Sequence, residues 1–246
     1  MAPTGKGSVF IDRRDAGRQL ASRLTGLAGA DPLVIALPRG GVPVGFEVAR
    51  RLGAPLEVLA VRKLGAPANP ELGVGAIAEH GTAVLDAVTA RRVGMTQEAL
   101  DETVEREVAE LQRRVLHYRD GRAAADVCGR TVIVVDDGLA TGLTDLAAVR
   151  SLRAQGARRI VVAVPVGARQ AVALLGAEAD EVVCHTIPDE LLGVGRWYRD
   201  FAPVSDQEVL DLLRAEAMER LAVAPPEPAA SGPPAWSANR GSPGSS

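Results

Sequence analysis

Thr131-Val132-Ile133-Val134-Val135-Asp136-Asp137-Gly138-Leu139-Ala140-Thr141-Gly142-Leu143-Thr144 sets the architecture of this 246-residue chain. It opens with an unbroken β-branched run, the pattern of a strand buried on both faces. Two adjacent carboxylates follow, then a loop of small residues, then a helical pattern through Leu146, Val149 and Leu152. A strand that ends in such a loop and opens a helix presents free backbone N–H groups and a positive dipole end. That is a seat for a phosphate monoester. Asp136 and Asp137, just before the seat, can hold what hangs from the phosphate: a ribose diol, a cation, or both. Two other glycine-loop chemistries are excluded. The loop has no Lys of the G-x-x-x-x-G-K-[ST] kind, and the dinucleotide pattern G-x-G-x-x-G is absent.

Upstream, the same grammar occurs once more. Leu33-Val34-Ile35-Ala36-Leu37 reads as a short buried strand running into Pro38-Arg39-Gly40-Gly41-Val42-Pro43, with a helix following through Val44, Val48, Ala49 and Leu52. Paired glycines let the backbone approach a ligand closely, and Arg39 can neutralise an anion there. A third strand, Leu56 to Val61, is expected to end in Arg62-Lys63, two cations aimed at the crevice where open α/β sheets bind ligands. Residues 65–70 read as a loop, and 73–79 and 82–85 as short strands around His80-Gly81. Downstream come a buried strand (159–166), a short helix (168–175) and a further strand (181–185). Strands alternating with helices give an α/β fold, a mainly parallel twisted sheet flanked by helices.

The remaining segments read as packing. A helix is expected from Asp12 to about Ala28, its apolar face Ala16, Leu20, Leu24 and Leu27. The longest helical pattern, Thr96 to Tyr118, carries Leu100, Val104, Val108, Leu111 and Val115 on one side, which fits core packing or a dimer contact. His117 and Tyr118 end it, and His185 reads as a core or edge residue. Gly193 to Phe201 gathers Trp197, Tyr198 and Phe201 in a chain only 3% aromatic. These could form a stacking wall for a planar ring, or anchor the helix that starts at Ser205 and runs to about Leu221. Beyond Ala224 the chain is dense in Pro, Ala, Ser and Gly, a composition expected to stay disordered, with Trp236 exposed.

At 47% hydrophobic residues the chain can build one sizeable core, and a net charge of -3 argues against nucleic acid as a partner. Cys128 and Cys184 lie far apart without metal-ligand spacing and read as reduced thiols. No apolar run reaches transmembrane length, so no membrane partner is expected, and a cytoplasmic enzyme is.

The 131–144 stretch resembles the phosphoribosyl-pyrophosphate (PRPP) loop of type I phosphoribosyltransferases, and the likeness in order and spacing extends from about Phe10 to Leu221. It implies that Asp136 and Asp137 hold the ribose hydroxyls. Gly138, Ala140, Thr141, Gly142, Leu143 and Thr144 would surround the 5-phosphate. Arg39, Gly40 and Gly41 would grip the pyrophosphate, in this family often across a non-proline cis peptide, and Lys63 would be a further pyrophosphate ligand. Trp197 and Tyr198 fall where the family's base-binding hood lies. The resemblance further implies Mg²⁺ bound mainly through PRPP, catalysis by Asp136, Asp137 and Arg39, and a nitrogenous, nucleobase-like acceptor. Ala140 stands where the 6-oxopurine branch has an Asp, as in adenine-type loops. The implied organisation is a phosphoribosyltransferase-like domain over residues 1–222, with a helical insertion at 95–120 that departs from the family's usual mobile hairpin, and a tail at 223–246. A homodimer is compatible with it. The competing expectation is a PRPP-sensing regulator that keeps the ligand site without turnover.

Overall fold

The computed structural model describes residues 10–67, 69–120 and 123–223. The chain runs α1 (Arg13–Ala21), a 3-10 turn (Thr25–Ala30), β1 (Leu33–Ala36), α2 (Gly41–Leu52), β2 (Leu56–Val58), β3 (Val61–Ala66), β4 (Asn69–Ala78), β5 (Ala83–Leu85), α3 (Ala87–Arg92) and α4 (Gln97–Arg119). It continues through β6 (Thr131–Val135), α5 (Leu143–Ala154), β7 (Arg159–Val166), α6 (Arg169–Gly176), β8 (Glu181–Thr186), a 3-10 turn (Val194–Trp197) and α7 (Asp206–Val223).

Five strands form a parallel sheet in the order β2-β1-β6-β7-β8. Side chains alternate across a strand, so the unbroken apolar run of β6 serves both faces. Val132 and Val134 face the layer that holds Leu146, Val149 and Leu152 of α5. Ile133 and Val135 face the layer of Leu20, Val44, Val48 and Leu213, drawn from α1, α2 and α7. Because β1 is followed by β2 on one side while β6 lies on its other side, the strand order reverses between β1 and β6. The loops after these two strands are therefore neighbours at the carboxyl edge of the sheet, where open α/β sheets bind ligands.

The helix expected from Asp12 to Ala28 stops at Ala21 and continues as the 3-10 turn, since Ser22, Thr25 and Gly26 favour the helix weakly. Leu24 and Leu27 stay buried all the same. Asp12 caps α1 through Oδ1, which accepts from the Asp15 N–H at 2.7 Å.

The third strand departs most from expectation. β2 ends at Val58, opposite Ala36, the last residue of β1. A strand continuing to Val61 would have no partner, so the chain leaves the sheet and Val61–Ala66 pairs antiparallel with β4 instead. Of the residues expected to be a loop, Gly65 and Ala66 end β3 and Asn69 opens β4, with Ala66 opposite Asn69. β3, β4 and β5 make a separate three-stranded sheet. One face of it packs on α4 through Leu64, Val74, Ile77, Leu100, Val104 and Val108. Ala76 and Val84 join the layer under α5. The apolar face of α4 is thus covered within the chain, so the core-packing reading of that face holds. Its final turn drives Tyr118 into the core beside α7, with the hydroxyl donating to Asp206 Oδ1. α3, not foreseen from the sequence, is capped by Asp86.

Ser205 accepts from the Glu208 N–H at 3.1 Å, the expected start of α7. The expected tail, Trp236 included, lies outside the described residues from Ala224 onward. Among the described residues, no helix is long and apolar enough to cross a membrane. Cys128 and Cys184 are free thiols.

Candidate functional site

At the end of β6, Asp136 and Asp137 emerge into the cleft beside the loop after β1. A Cβ placed on Gly40 would sit 2.0 Å from Asp137 Oδ2, and one on Gly41 would sit 2.5 Å from the Val135 carbonyl oxygen and 3.0 Å from Asp136 Cα. No residue with a side chain allows this approach, which explains the paired glycines. The peptide between Pro38 and Arg39 is cis. Arg39 is partly exposed, its guanidinium 3.8 Å from Asp206 at the start of α7.

On the other side, the loop 138–142 is tied to the end of β7. The Leu139 N–H donates to the Val166 carbonyl and the Ala168 N–H to the Leu139 carbonyl, both at 2.9 Å. Gly142 takes a left-handed conformation (φ +77°) and caps α5, so the first-turn N–H groups face the loop. The Leu143 N–H reaches Thr141 Oγ1 at 3.5 Å. Thr141 and Ala140 are exposed, and Thr144 is half-buried. The arrangement is a cradle of donors at a helix N-terminus, next to an acidic floor.

That floor is more acidic than the sequence reading recognised. Asp145, in the first turn of α5, is buried, and its Oδ1 has no hydrogen-bond partner among the described residues. Burial raises its carboxyl to about 7. Burial, then repulsion from Asp145 and Asp137, holds the Asp136 carboxyl well above the usual range. Burial also raises Asp137, against the pull of Arg13. Asp136 Oδ1 accepts from the Asp137 N–H at 2.8 Å.

Arg13 is the second group missing from the sequence reading. Its Nε donates to Asp137 Oδ2 at 2.8 Å, its Nη1 to the Ala202 carbonyl at 2.8 Å, and its guanidinium lies 3.8 Å from the centre of the Phe201 ring. No local pattern marks a first-turn Arg as a partner of a carboxylate 124 residues away. Asp145 had a faint signal, an acid inside a helix that is apolar on nearly every side, but the first turn is an ordinary place for an acid.

Other expected site residues have surroundings that differ from the expectation. Lys63 lies in the antiparallel β3, opposite Ala76, with its stem over Gly73. It is not at the end of a parallel strand, and that correction follows from the early stop of β2. Arg62 pairs with Glu107 of α4. Tyr198 is 5% exposed, packed beside Phe10 and Phe201, and its hydroxyl donates to the Asp137 carbonyl at 2.6 Å. Its ring is an anchor and has no open face for a ligand. His185 packs edge-on to Phe10. Trp197 is half-buried against the same cluster. Tyr198→Phe should therefore lower stability by about 1–3 kcal/mol, because it leaves a buried carbonyl unpaired. Chemical denaturation would read this. An unchanged midpoint would show that the hydroxyl does not hold the Asp137 backbone.

Comparison with known proteins gives a consistent picture. The phosphoribosyl transferase domain profile matches residues 12–190. A protein of Mycobacterium tuberculosis H37Rv described as a "putative phosphoribosyl transferase" is 49% identical over 205 residues, covering 83% of this chain and 46% of that protein. The chain thus spans about half the length of that relative. An adenine phosphoribosyltransferase of Rhodococcus opacus is 33% identical over 156 residues, covering 63% of this chain and 68% of the relative. The crystal structure of TT1426 from Thermus thermophilus aligns with a TM-score of 0.70 at 45% identity, over 83% of this chain and 97% of that one. With a profile match across most of its described length, this chain belongs to the phosphoribosyl transferase domain family.

Proposed function

We propose that this protein is a phosphoribosyltransferase that binds PRPP and transfers its 5-phosphoribosyl group to a nitrogenous acceptor, releasing pyrophosphate. One observation carries the reading: a carboxylate pair wedged between a glycine pair with its Arg and a donor cradle at a helix N-terminus. PRPP has three parts in the same order: a pyrophosphate, a diol and a 5-phosphate. The first-turn N–H groups of α5, with Thr141 and Thr144, would take the 5-phosphate. Asp136 and Asp137 would hydrogen-bond the diol, and the charge of Asp137, which Arg13 favours, would lie near the ring as C1 becomes cation-like. Arg39, Gly40 and Gly41 would receive the departing pyrophosphate, whose growing charge Arg39 offsets.

Among the described residues, no cluster of three or more acidic, imidazole or thiol side chains is arranged to hold a metal. A Mg²⁺ would arrive on PRPP oxygens and keep several waters. When bound it would add to the neutralisation of pyrophosphate. Lys63, from β3, would be a further ligand of the pyrophosphate. Trp197 is the aromatic left to meet an acceptor ring.

For the acceptor, Ala140 and the likeness to an adenine phosphoribosyltransferase both favour a base of the adenine type over a 6-oxopurine. Calorimetry with PRPP and Mg²⁺, followed by pyrophosphate release with a panel of nucleobases, tests the proposal. Thr141→Ala removes one hydroxyl bond to a charged group, about 1.5–3 kcal/mol, so PRPP affinity should fall tenfold or more. Its melting point should hold, because the side chain is exposed. Unaltered affinity in that variant, or no PRPP binding by the wild type, overturns the reading. PRPP binding without turnover on any acceptor would favour the sensing role instead.

A further inference from the structure

We propose that Arg13 is a positioning residue of the PRPP site: its guanidinium fixes the orientation and the ionised state of Asp137, and so makes the N-terminal helix and the 194–202 loop part of that site. The proposal rests on the phosphoribosyl reading only for what Asp137 binds.

The geometry leaves little freedom. Asp137 Oδ2 lies against Gly40 on one side and takes the Arg13 Nε–H on the other. The two side chains are 11% and 16% exposed, so the pair is shielded from water. Arg13 is itself held at three points: the Asp137 carboxylate, the Ala202 carbonyl and the face of Phe201. A planar fork can serve all three at once, whereas an ammonium cannot. The frame behind it is stitched by backbone bonds. Phe10 N–H donates to the Trp197 carbonyl at 2.8 Å, and Arg199 N–H and Asp200 N–H donate to the Phe10 and Ile11 carbonyls at 2.8 and 2.9 Å. Tyr198 adds its bond to the Asp137 carbonyl. The aromatic cluster thus grips both the main chain and, through Arg13, the side chain of one residue.

The charge balance shows why a cation is needed there. The groups facing Asp137 are Arg13 from α1, Asp136 beside it, Asp145 from α5, and Tyr198 from the aromatic loop, with Arg39 on the neighbouring loop turned to Asp206. Two of these are acids, and burial alone pushes the Asp137 carboxyl up. Arg13 is the group that pulls it back. An ionised carboxylate accepts two diol hydrogen bonds, whereas a protonated one must spend an oxygen as a donor.

Arg13→Gln and Arg13→Lys separate charge from orientation. In the ligand-free protein, ¹³C-carboxyl NMR reads Asp137 directly. Arg13→Gln should move its titration to higher pH, and Arg13→Lys should leave it near the wild-type position. In calorimetry Arg13→Gln should bind PRPP at least tenfold more weakly at pH 6.5 and recover as pH rises, while Arg13→Lys should be weaker at every pH with the wild-type profile. In an Asp137→Asn background, Arg13→Gln should cost little more. An unmoved Asp137 titration in Arg13→Gln overturns the proposal whether or not PRPP binds, and so does full additivity of the two substitutions in PRPP binding. A wild type whose Asp137 responds to Arg13 as stated, yet binds no PRPP, overturns the phosphoribosyl reading alone.

Discussion

Gly41→Ala should cripple the protein although it adds one methyl group. The new Cβ would lie 2.5 Å from the Val135 carbonyl oxygen and 3.0 Å from Asp136 Cα, both main-chain atoms at the end of a central strand. Neither can swing aside as a flexible side chain would. Either the end of β6 moves or the loop 38–41 lifts away, and overpacking of this kind costs about 1–3 kcal/mol. The larger loss should be functional, since both responses part the carboxylate pair from the loop 38–41 proposed to take the pyrophosphate. A displacement near 1 Å between groups that must act together can cost roughly 100-fold in rate. Gly40→Ala tests the same approach differently. Its Cβ would meet the Asp137 carboxylate, a side chain that Arg13 already holds. That variant should retain more stability than Gly41→Ala and lose as much PRPP affinity. Gly26→Ala is the control, with nothing within 4 Å of the added atom. Melting and PRPP calorimetry on the three proteins would decide it, and wild-type affinity in Gly41→Ala would show that the two loops do not meet as described.

What the sequence revealed, and what it hid, follows the range of the interactions involved. The β6 strand, its acidic pair and the α5 start are legible because each rests on contiguous residues: a β-branched run, a glycine able to take positive φ, an apolar helical period. The glycine pair after β1 was legible as a close approach, but nothing local said that its target is Asp137. The misplacement of Lys63 has a comparable origin. An apolar run cannot show where its neighbour in the sheet ends, and β1 ends at Ala36, so β2 has nothing to pair with beyond Val58. Tyr198 illustrates the opposite error. Its place near the family's hood suggested a ligand wall, whereas Phe10, 188 positions earlier, bridges to it and packs on its ring. Arg13 and Asp145 escaped because each is unremarkable in its own helix. Only the fold makes one a counter-ion and the other an unpaired buried acid.

Asp145→Asn should make the protein more stable at neutral and alkaline pH, and should remove part of its pH dependence. The Asp145 side chain is 3% exposed, its Oδ1 lacks a partner among the described residues, and Asp136 and Asp137 repel a charge there. Burial raises its carboxyl to about 7, from an ordinary 3.8. The sign follows from proton counts. Between these two values the folded protein keeps a proton that the unfolded chain has released, so stability from this group falls as pH rises through the window. Each pH unit across it is worth about 1.36 kcal/mol, which gives a loss of up to ~4 kcal/mol by pH 7 and beyond. Asp136 and Asp137, also raised, act in the same direction. Asparagine keeps the shape without the charge, and its amide can donate to a neighbouring carboxylate. At pH 8 the variant should therefore melt well above the wild type, by as much as about 10 °C at roughly 2–4 °C per kcal/mol for a chain of this size. At pH 4.5, where Asp145 is already protonated, the two should nearly coincide. Parallel melting curves at pH 4.5, 6 and 8 would show that Asp145 is ionised throughout and the acidic floor is not as described. A group kept at such a cost beside the donor cradle proposed for PRPP is the kind that sites retain for function. PRPP affinity of the same variant then tells whether Asp145 serves the ligand: crowding that only destabilises the fold would leave affinity unchanged, whereas an acid needed to keep Asp136 raised would let the variant bind the diol differently across the same pH window.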